Sequence, residues 1–212
     1  MRTEKKISQT KYLLILYVIF FQFFISSCKD SNRETIAVGL STSPITLDPR
    51  YATDAISYRI TRLLYESLVD FDEEFRVKPQ LADWQKISPT HYRFSLRKNL
   101  KEFHNGSPLT SEDVRATYQS VLNPEEISPH KGSIDMIKSI HAVDPNTIDF
   151  KLFYADPLFP GRLVIGILPK ELISKKHNFS RQPIGNGPMK IISFKNDKHL
   201  KLKRLDDNKI IE

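Results

Sequence analysis

The longest apolar run of the 212-residue chain, Tyr12 to Ile25 (YLLILYVIFFQFFI), sits at the extreme N-terminus and not in the body of the sequence. It comes after Arg2, Lys5, Lys6 and Lys11 and is fourteen residues long, short of the roughly 20 that a bilayer-spanning helix needs. A basic segment leading into an apolar stretch of about 7–15 residues is the layout of a secretory signal peptide. A core helix is poorly served by that position, at the chain end behind four cations. Residues 1–27 are therefore read as a leader, and the fold is built from residue 28 onward. Cys28 is the single cysteine of the chain. No intramolecular disulfide can staple the exported part, and its stability has to come from packing. With 40% hydrophobic residues overall, the remainder can bury one ordinary core.

The apolar run ends in Ile25-Ser26-Ser27-Cys28, which resembles the bacterial lipobox. Small residues fit the peptidase groove, and the thiol is the nucleophile that takes up the diacylglycerol. Several acyl chains on one residue hold a protein to a bilayer, where one chain binds only marginally. Cys28 is thus expected to be the lipidated mature N-terminus of a protein exported to the periplasmic space or cell surface.

A formal charge of +7 invites a nucleic-acid reading. The leader holds a net +3, leaving +4 elsewhere, and the other cations are mostly interleaved with acids. Only Lys195 to Arg204 is dense, and there Lys201 and Lys203 alternate with Leu200 and Leu202. That is a strand with one wet face. No nucleic-acid partner is expected.

Along the mature chain, Thr35 to Leu40 reads as a first strand running into Ser41-Thr42-Ser43-Pro44-Ile45-Thr46-Leu47-Asp48-Pro49, where two prolines hold an extended loop. Asp54 caps a helix through Val69, with Ile56, Ile60, Leu63, Leu64 and Leu68 on one face. His91 to Leu96 alternates with Tyr92, Phe94 and Leu96 inward, and Asn105-Gly106 marks a turn. Thr110-Ser-Glu-Asp113 has the form of a capping box opening a helix to about Leu122, with Asp113 where Glu or Gln usually stands. Thr147 to Phe153 is another alternating strand, and Pro169 opens a short helix. Met189 to Phe194 and His199 to Leu205 form a closing hairpin around Asn196-Asp197. Trp84 is expected mostly buried against Tyr92 or Phe94. The whole is a mixed α/β (α+β) chain.

Enzymatic readings find no support. The six histidines (91, 104, 130, 141, 177 and 199) show no HExxH or other metal-ligand spacing, and neither a P-loop nor a GxSxG is present. The acid pairs Glu73-Glu74 and Glu125-Glu126 lie in loop-like stretches and read as solvated charge. Neither catalytic residues nor a metal or cofactor is expected.

Six segments, in order, carry a resemblance. They are Pro44-Ile-Thr-Leu-Asp-Pro49, Leu64-Tyr-Glu-Ser-Leu-Val69, Pro79-Gln-Leu-Ala-Asp-Trp84, Tyr92 to Lys98, Phe103-His-Asn-Gly106 through Val114, and Pro183-Ile-Gly-Asn-Gly-Pro188. Together they resemble family 5 of the bacterial extracellular solute-binding proteins, the oligopeptide- and dipeptide-binding group. The chain departs from that pattern with Asn105 for Asp, Asn186 for Thr and Met189 for an aromatic. The resemblance implies a periplasmic-binding-protein-like first lobe, with core pieces at 28–50 and 165–212 and an inserted subdomain at 51–164. The chain stops at Glu212, about where the second lobe should begin, so that lobe is expected to be missing and the receptor truncated. Members clasp a peptide between two lobes and pass it to the permease subunits of an ABC importer. By resemblance, Thr42, Ser43, Pro44 and Ile45 lie on the ligand side, and Asn186 and Gly187 near the crossing to the second lobe. A remnant that no longer binds, kept as an interaction surface, stays open beside this reading. So do nickel, haem or sugar as ligands within the family.

Overall fold

The computed structural model describes residues 35–36, 38–100, 102–195, 199–206 and 210–211. The leader and Cys28 lie outside the described residues.

Among these residues the chain forms two four-stranded sheets and a two-stranded ribbon. In chain order the elements are β1 (Thr35–Ile36), α1 (Ala55–Leu64), β2 (Val69–Phe71), β3 (Val77–Pro79), β4 (Ala82–Ser88), β5 (His91–Leu96), α2 (Ser111–Leu122), α3 (Lys131–Ile134), β6 (Ile137–Asp144), β7 (Thr147–Leu152), α4 (Lys170–Ser174), β8 (Met189–Lys195), β9 (His199–Arg204) and β10 (Ile210–Ile211). A 3-10 turn, Phe159–Arg162, stands between β7 and α4.

One sheet runs β4-β5-β7-β6, all antiparallel. Period-two alternation puts Tyr92, Phe94 and Leu96 of β5 on the same side as Ile148, Phe150 and Leu152 of β7. That side is closed by α2 through Val114, Tyr118 and Val121. Phe94, Tyr118 and Phe159 each meet Phe150 at ring-centroid distances of 5.5–5.7 Å, Phe94 and Tyr118 edge-on and Phe159 tilted. Trp84 is half-buried, stacked on Phe94 at 6.2 Å, less enclosed than the sequence suggests because β4 is an edge strand.

The other sheet runs β1-β10-β9-β8, with β1 parallel to β10 and the rest antiparallel. The β8–β9 hairpin forms as its alternation predicts, and Ile191 and Leu202 pair across it. Its apolar face joins Ile56, Ile60 and Leu64 of α1, Leu47 and Phe179 in a second core.

Two elements are shorter than their patterns. The first strand covers Thr35–Ile36, and residues 38–40 are outside it. Helix α1 begins at its Asp54 cap, whose carboxylate accepts from the backbone N–H of Ile56 and Ser57, but stops at Leu64 and not Val69. Tyr65 turns extended (φ −133°, ψ 142°) because its surroundings replace the helical hydrogen bonds. The Leu64 carbonyl accepts from Gly187 N–H (2.9 Å), and the Glu66 N–H donates to Asn186 Oδ1 (3.0 Å). Tertiary partners override local periodicity here.

Candidate functional site

The end of α1 is where three segments converge, and only glycine lets them. A Cβ on Gly185 would stand 2.0 Å from the Leu64 carbonyl oxygen, and one on Gly187 would stand 2.5 Å from that of Leu63. The Pro183–Pro188 segment is thereby pressed onto the helix end, and the His104 ring holds it from the far side, with Nε2 3.0 Å from the Gly187 carbonyl. Asn186 is buried, its Oδ1 engaged by Glu66 and its Nδ2 without a partner among the described residues.

A second joint fixes the chain between β1 and α1. Arg50 grips Asp48 in a fork, Nε to Oδ1 at 3.1 Å and Nη2 to Oδ2 at 2.7 Å. Its Nη1 reaches Ser120 Oγ on α2 (3.3 Å), and the guanidinium lies 5.6 Å over the Phe179 ring. Burial works against the Arg50 charge, yet hydrogen bonding to the Asp48 carboxylate holds its pKa above the ordinary value. Tyr51 donates to Glu126 Oε2 (2.9 Å), and burial, then that bond, push its hydroxyl up to about 12.

Between these joints lies a cavity of about 100 Å³, walled by Pro49, Ala52, α1, the start of β2, residues 130–133 and residues 162–166. Its polar groups converge from four segments. Arg62 donates to both oxygens of Asp70 (2.7 and 2.6 Å), with Tyr58 OH beside it. Gln80 Oε1 accepts from the N–H and hydroxyl of Ser67, so the part of Gln80 still able to meet a ligand is its amide NH2. Arg162 uses Nε on Asp156 (2.6 Å), which leaves its two Nη groups for other acceptors. His130 Nε2 lies 3.1 Å from the Ala52 carbonyl and so carries the proton, which turns Nδ1 into an acceptor when the ring is neutral. Tyr65 is buried in the wall, and burial holds its phenol well above the ordinary range. Asp70 of the lining and Asp156 behind Arg162 are already bonded to arginine, so the wall offers more donors than acceptors. It suits carbonyl and carboxylate oxygens, with apolar contact from Pro49, Val164 and Ile165.

The residues named from sequence are placed differently. Thr42, Ser43 and Ile45 are exposed, Ile45 at 82%, while Pro44 is buried and anchors them. Thr46 then ties the loop down, its Oγ1 within 2.8 Å of Ser180 Oγ and its N–H on Ser57 Oγ. None of Thr42, Ser43, Pro44, Ile45, Asn186 or Gly187 is among the cavity-lining residues. Asn186 and Gly187 do their visible work at the helix end. Sequence reasoning misses Arg62, Gln80, His130 and Arg162 because they are scattered along the chain in no recurring spacing, and Arg62 reads as the wet face of a helix. Among the described residues, no group of three or more His, Cys, Asp or Glu is placed to hold a metal ion. No helix among them is long and apolar enough to cross a membrane.

The profile of the Bacterial extracellular solute-binding proteins, family 5 Middle, matches residues 76–209. The oligopeptide-binding protein AppA of Bacillus subtilis is 28% identical over 226 residues, covering 94% of this chain and 41% of AppA. Its structure in complex with a nonapeptide superposes with a TM-score of 0.77, covering 84% of this chain and 39% of that one. The HTH-type transcriptional regulator SgrR of Pectobacterium atrosepticum is 33% identical over 164 residues, 75% of this chain and 28% of SgrR. NikZ of Campylobacter jejuni, in complex with Ni(L-His), superposes with a TM-score of 0.71 at 28% identity, covering 84% of this chain and 38% of NikZ. The chain thus spans about four-tenths of the length of AppA, and the mixed α/β fold described here corresponds to one part of the two-lobed binding proteins.

Proposed function

The chain belongs to family 5 of the bacterial extracellular solute-binding proteins, and from that membership we propose that it is the first lobe of a peptide receptor serving an ABC importer. The observation that carries this reading is the likeness of fold to AppA, whose structure holds a nonapeptide. The site fits that role. Exposed, proline-anchored backbone at Thr42 to Ile45 offers main-chain partners to an extended peptide. The donor-rich cavity at Arg62, Gln80 and Arg162 receives carbonyl or carboxylate oxygens. Asn186 and Gly187 hold the crossing toward the second lobe in place. Cys28 carries the lipid that keeps the receptor at the membrane outside the cell, and the importer's permease subunits receive the peptide. No step of this requires covalent chemistry, so the reading is of a binding protein and not an enzyme.

One lobe alone leaves a bound peptide open to water. Association costs about 4–15 kcal/mol in lost freedom, while each main-chain hydrogen bond returns only about 0.5–1.5 kcal/mol net. Residues 29–212 by themselves therefore bind peptide with a dissociation constant in the range of about 1 mM or weaker. Calorimetric titration with a mixture of tri- to pentapeptides tests this, and Arg162→Ala should weaken the binding about tenfold, the effect of losing one charge-assisted hydrogen bond. Binding to residues 29–212 alone at about 10 μM or tighter would contradict the one-lobe account.

A second reading, a chelated metal ion in place of peptide, is favoured by His130 in the cavity wall and by the NikZ likeness. The same titration with nickel–histidine separates the two.

A further inference from the structure

Residues 190–194, consecutive in β8, line one side of an open groove of about 360 Å³, and residues 181–184 with His104 line the other. Neighbouring residues of a strand point to opposite faces of the sheet. A groove that touches all of them in succession therefore runs along the hydrogen-bonding edge of the strand and not over one face. β8 is the last strand of its sheet, with β9 on one side and no ladder partner on the other among the described residues.

The ladder shows which backbone groups face the groove. The Leu205 N–H donates to the Pro188 carbonyl (3.0 Å). Hydrogen-bonded and non-hydrogen-bonded pairs alternate between antiparallel strands. Lys190 and Lys203 are thus the next bonded pair, and the N–H and C=O of Ile191 turn away from β9. The opposite wall does not take them up. Among the described residues no backbone hydrogen bond joins 181–184 to β8; the N–H groups of Arg181 and Gln182 donate to the Asn178 carbonyl, and Pro183 has none.

Side chains set what this edge accepts. Ile184, Ile191 and Phe194 are half-buried along it, Lys190 is exposed opposite Lys203, and the lining holds no Asp or Glu. An open edge is a template for another strand, and lysines and bulges, here between Ile191 and Ser193, are common guards against wrong pairing. These guards are selective. A second copy of this chain would bring its own Lys190 and Lys195 to the same row, where like charges repel. A strand that alternates acidic and apolar residues meets lysine with one face and the apolar lining with the other.

We propose that the groove along β8 binds an extended, acidic segment of a partner polypeptide by strand addition, with a carboxylate beside Lys190. None of its lining residues belongs to the cavity at Arg62, Gln80 and Arg162, and the proposal does not depend on the peptide-receptor reading.

The test uses the full chain, purified in mild detergent, and a capped probe, acetyl-Thr-Val-Glu-Val-Glu-Val-Thr-amide. Hydrogen–deuterium exchange is read by mass spectrometry with fragmentation to single residues. With a dissociation constant of about 100 μM, probe at about 1 mM should slow exchange of the Ile191 amide about tenfold. The Lys190 amide, already bonded to β9, should change far less. Lys190→Glu should remove most of the protection, and a probe with Lys in place of Glu should restore it on that variant. Arg162→Ala should leave it unchanged. No slowing at Ile191, or equal slowing by a probe with Thr in place of Glu, would overturn the proposal. Protection that appears without probe and grows with protein concentration would also overturn it, in favour of β8 pairing with a second copy. So would protection lost in Arg162→Ala, which would assign the probe to the cavity.

Discussion

Asp48 and Arg50 stand two residues apart on either side of Pro49, both buried, and between them hold the loop after β1 to α2 and Phe179. A pair of this kind is costly to break and cheap to replace. Asp48→Ala, which strands the guanidinium, should lower unfolding free energy by about 3–5 kcal/mol in urea titrations. Asp48→Leu combined with Arg50→Met should recover most of that loss, and an equal loss in the double variant would show that packing, not stranded charge, governs the joint. Asp149 gives a pH signature. It accepts a fork from Arg93 (2.7 and 2.9 Å), with His91 Nε2 3.1 Å away, and the Arg93 hydrogen bonds hold its carboxyl below the usual range against the opposing effect of burial. A depressed carboxylate stabilises the fold above its unfolded pKa of about 3.9 and loses that contribution as pH falls through the lower folded value. Unfolding midpoints should therefore drop as pH falls below about 4. Asp149→Asn should flatten that part of the curve, and an unchanged acid limb would assign it to other carboxylates.

Helix α2 is tied down by one carboxylate. Asp113 Oδ2 accepts from the N–H and hydroxyl of Thr110 (both 2.8 Å), and Oδ1 accepts from the Lys170 N–H at the start of α4 (2.8 Å). Asp113→Ala removes the cap and the inter-helix bond together and should cost about 1–3 kcal/mol by thermal unfolding, whereas Asp113→Asn should retain part of it. This element is legible in the sequence, since Thr110 and Asp113 have capping-box spacing before an apolar run. The β5 and β7 strands and the β8–β9 hairpin are equally legible, because alternation over six or more residues leaves little choice of face. The early end of α1 is not. Nothing local stops a helix at Leu64; the stop comes from Asn186 and Gly187, distant in the chain. Gly185 and Gly187 are visible as a motif, but the motif reads as a ligand segment until the Leu63 and Leu64 carbonyls are seen beneath it. Strands β2, β3 and β6 also escape, the first two being three residues long and β6, though eight residues long, carrying mostly exposed side chains.

At the scale of the whole molecule, family membership and the mixed α/β fold can be read from ordered motifs, while the cavity cannot. Its polar lining is drawn from Arg62, Gln80, His130 and Arg162, residues that only the folded chain brings together. The central claim is that peptide meets this lobe at that cavity and along Thr42 to Ile45. Backbone amide NMR of residues 29–212, titrated with tri- to pentapeptides to several millimolar, tests it most directly. Chemical shifts should move, in fast exchange, at Thr42, Ser43 and Ile45 and around Gln80, His130 and Arg162, and should stay still across β4 and β6. Shifts that leave the cavity and the loop untouched, or that cluster instead on the β4–β6 sheet, would contradict the account.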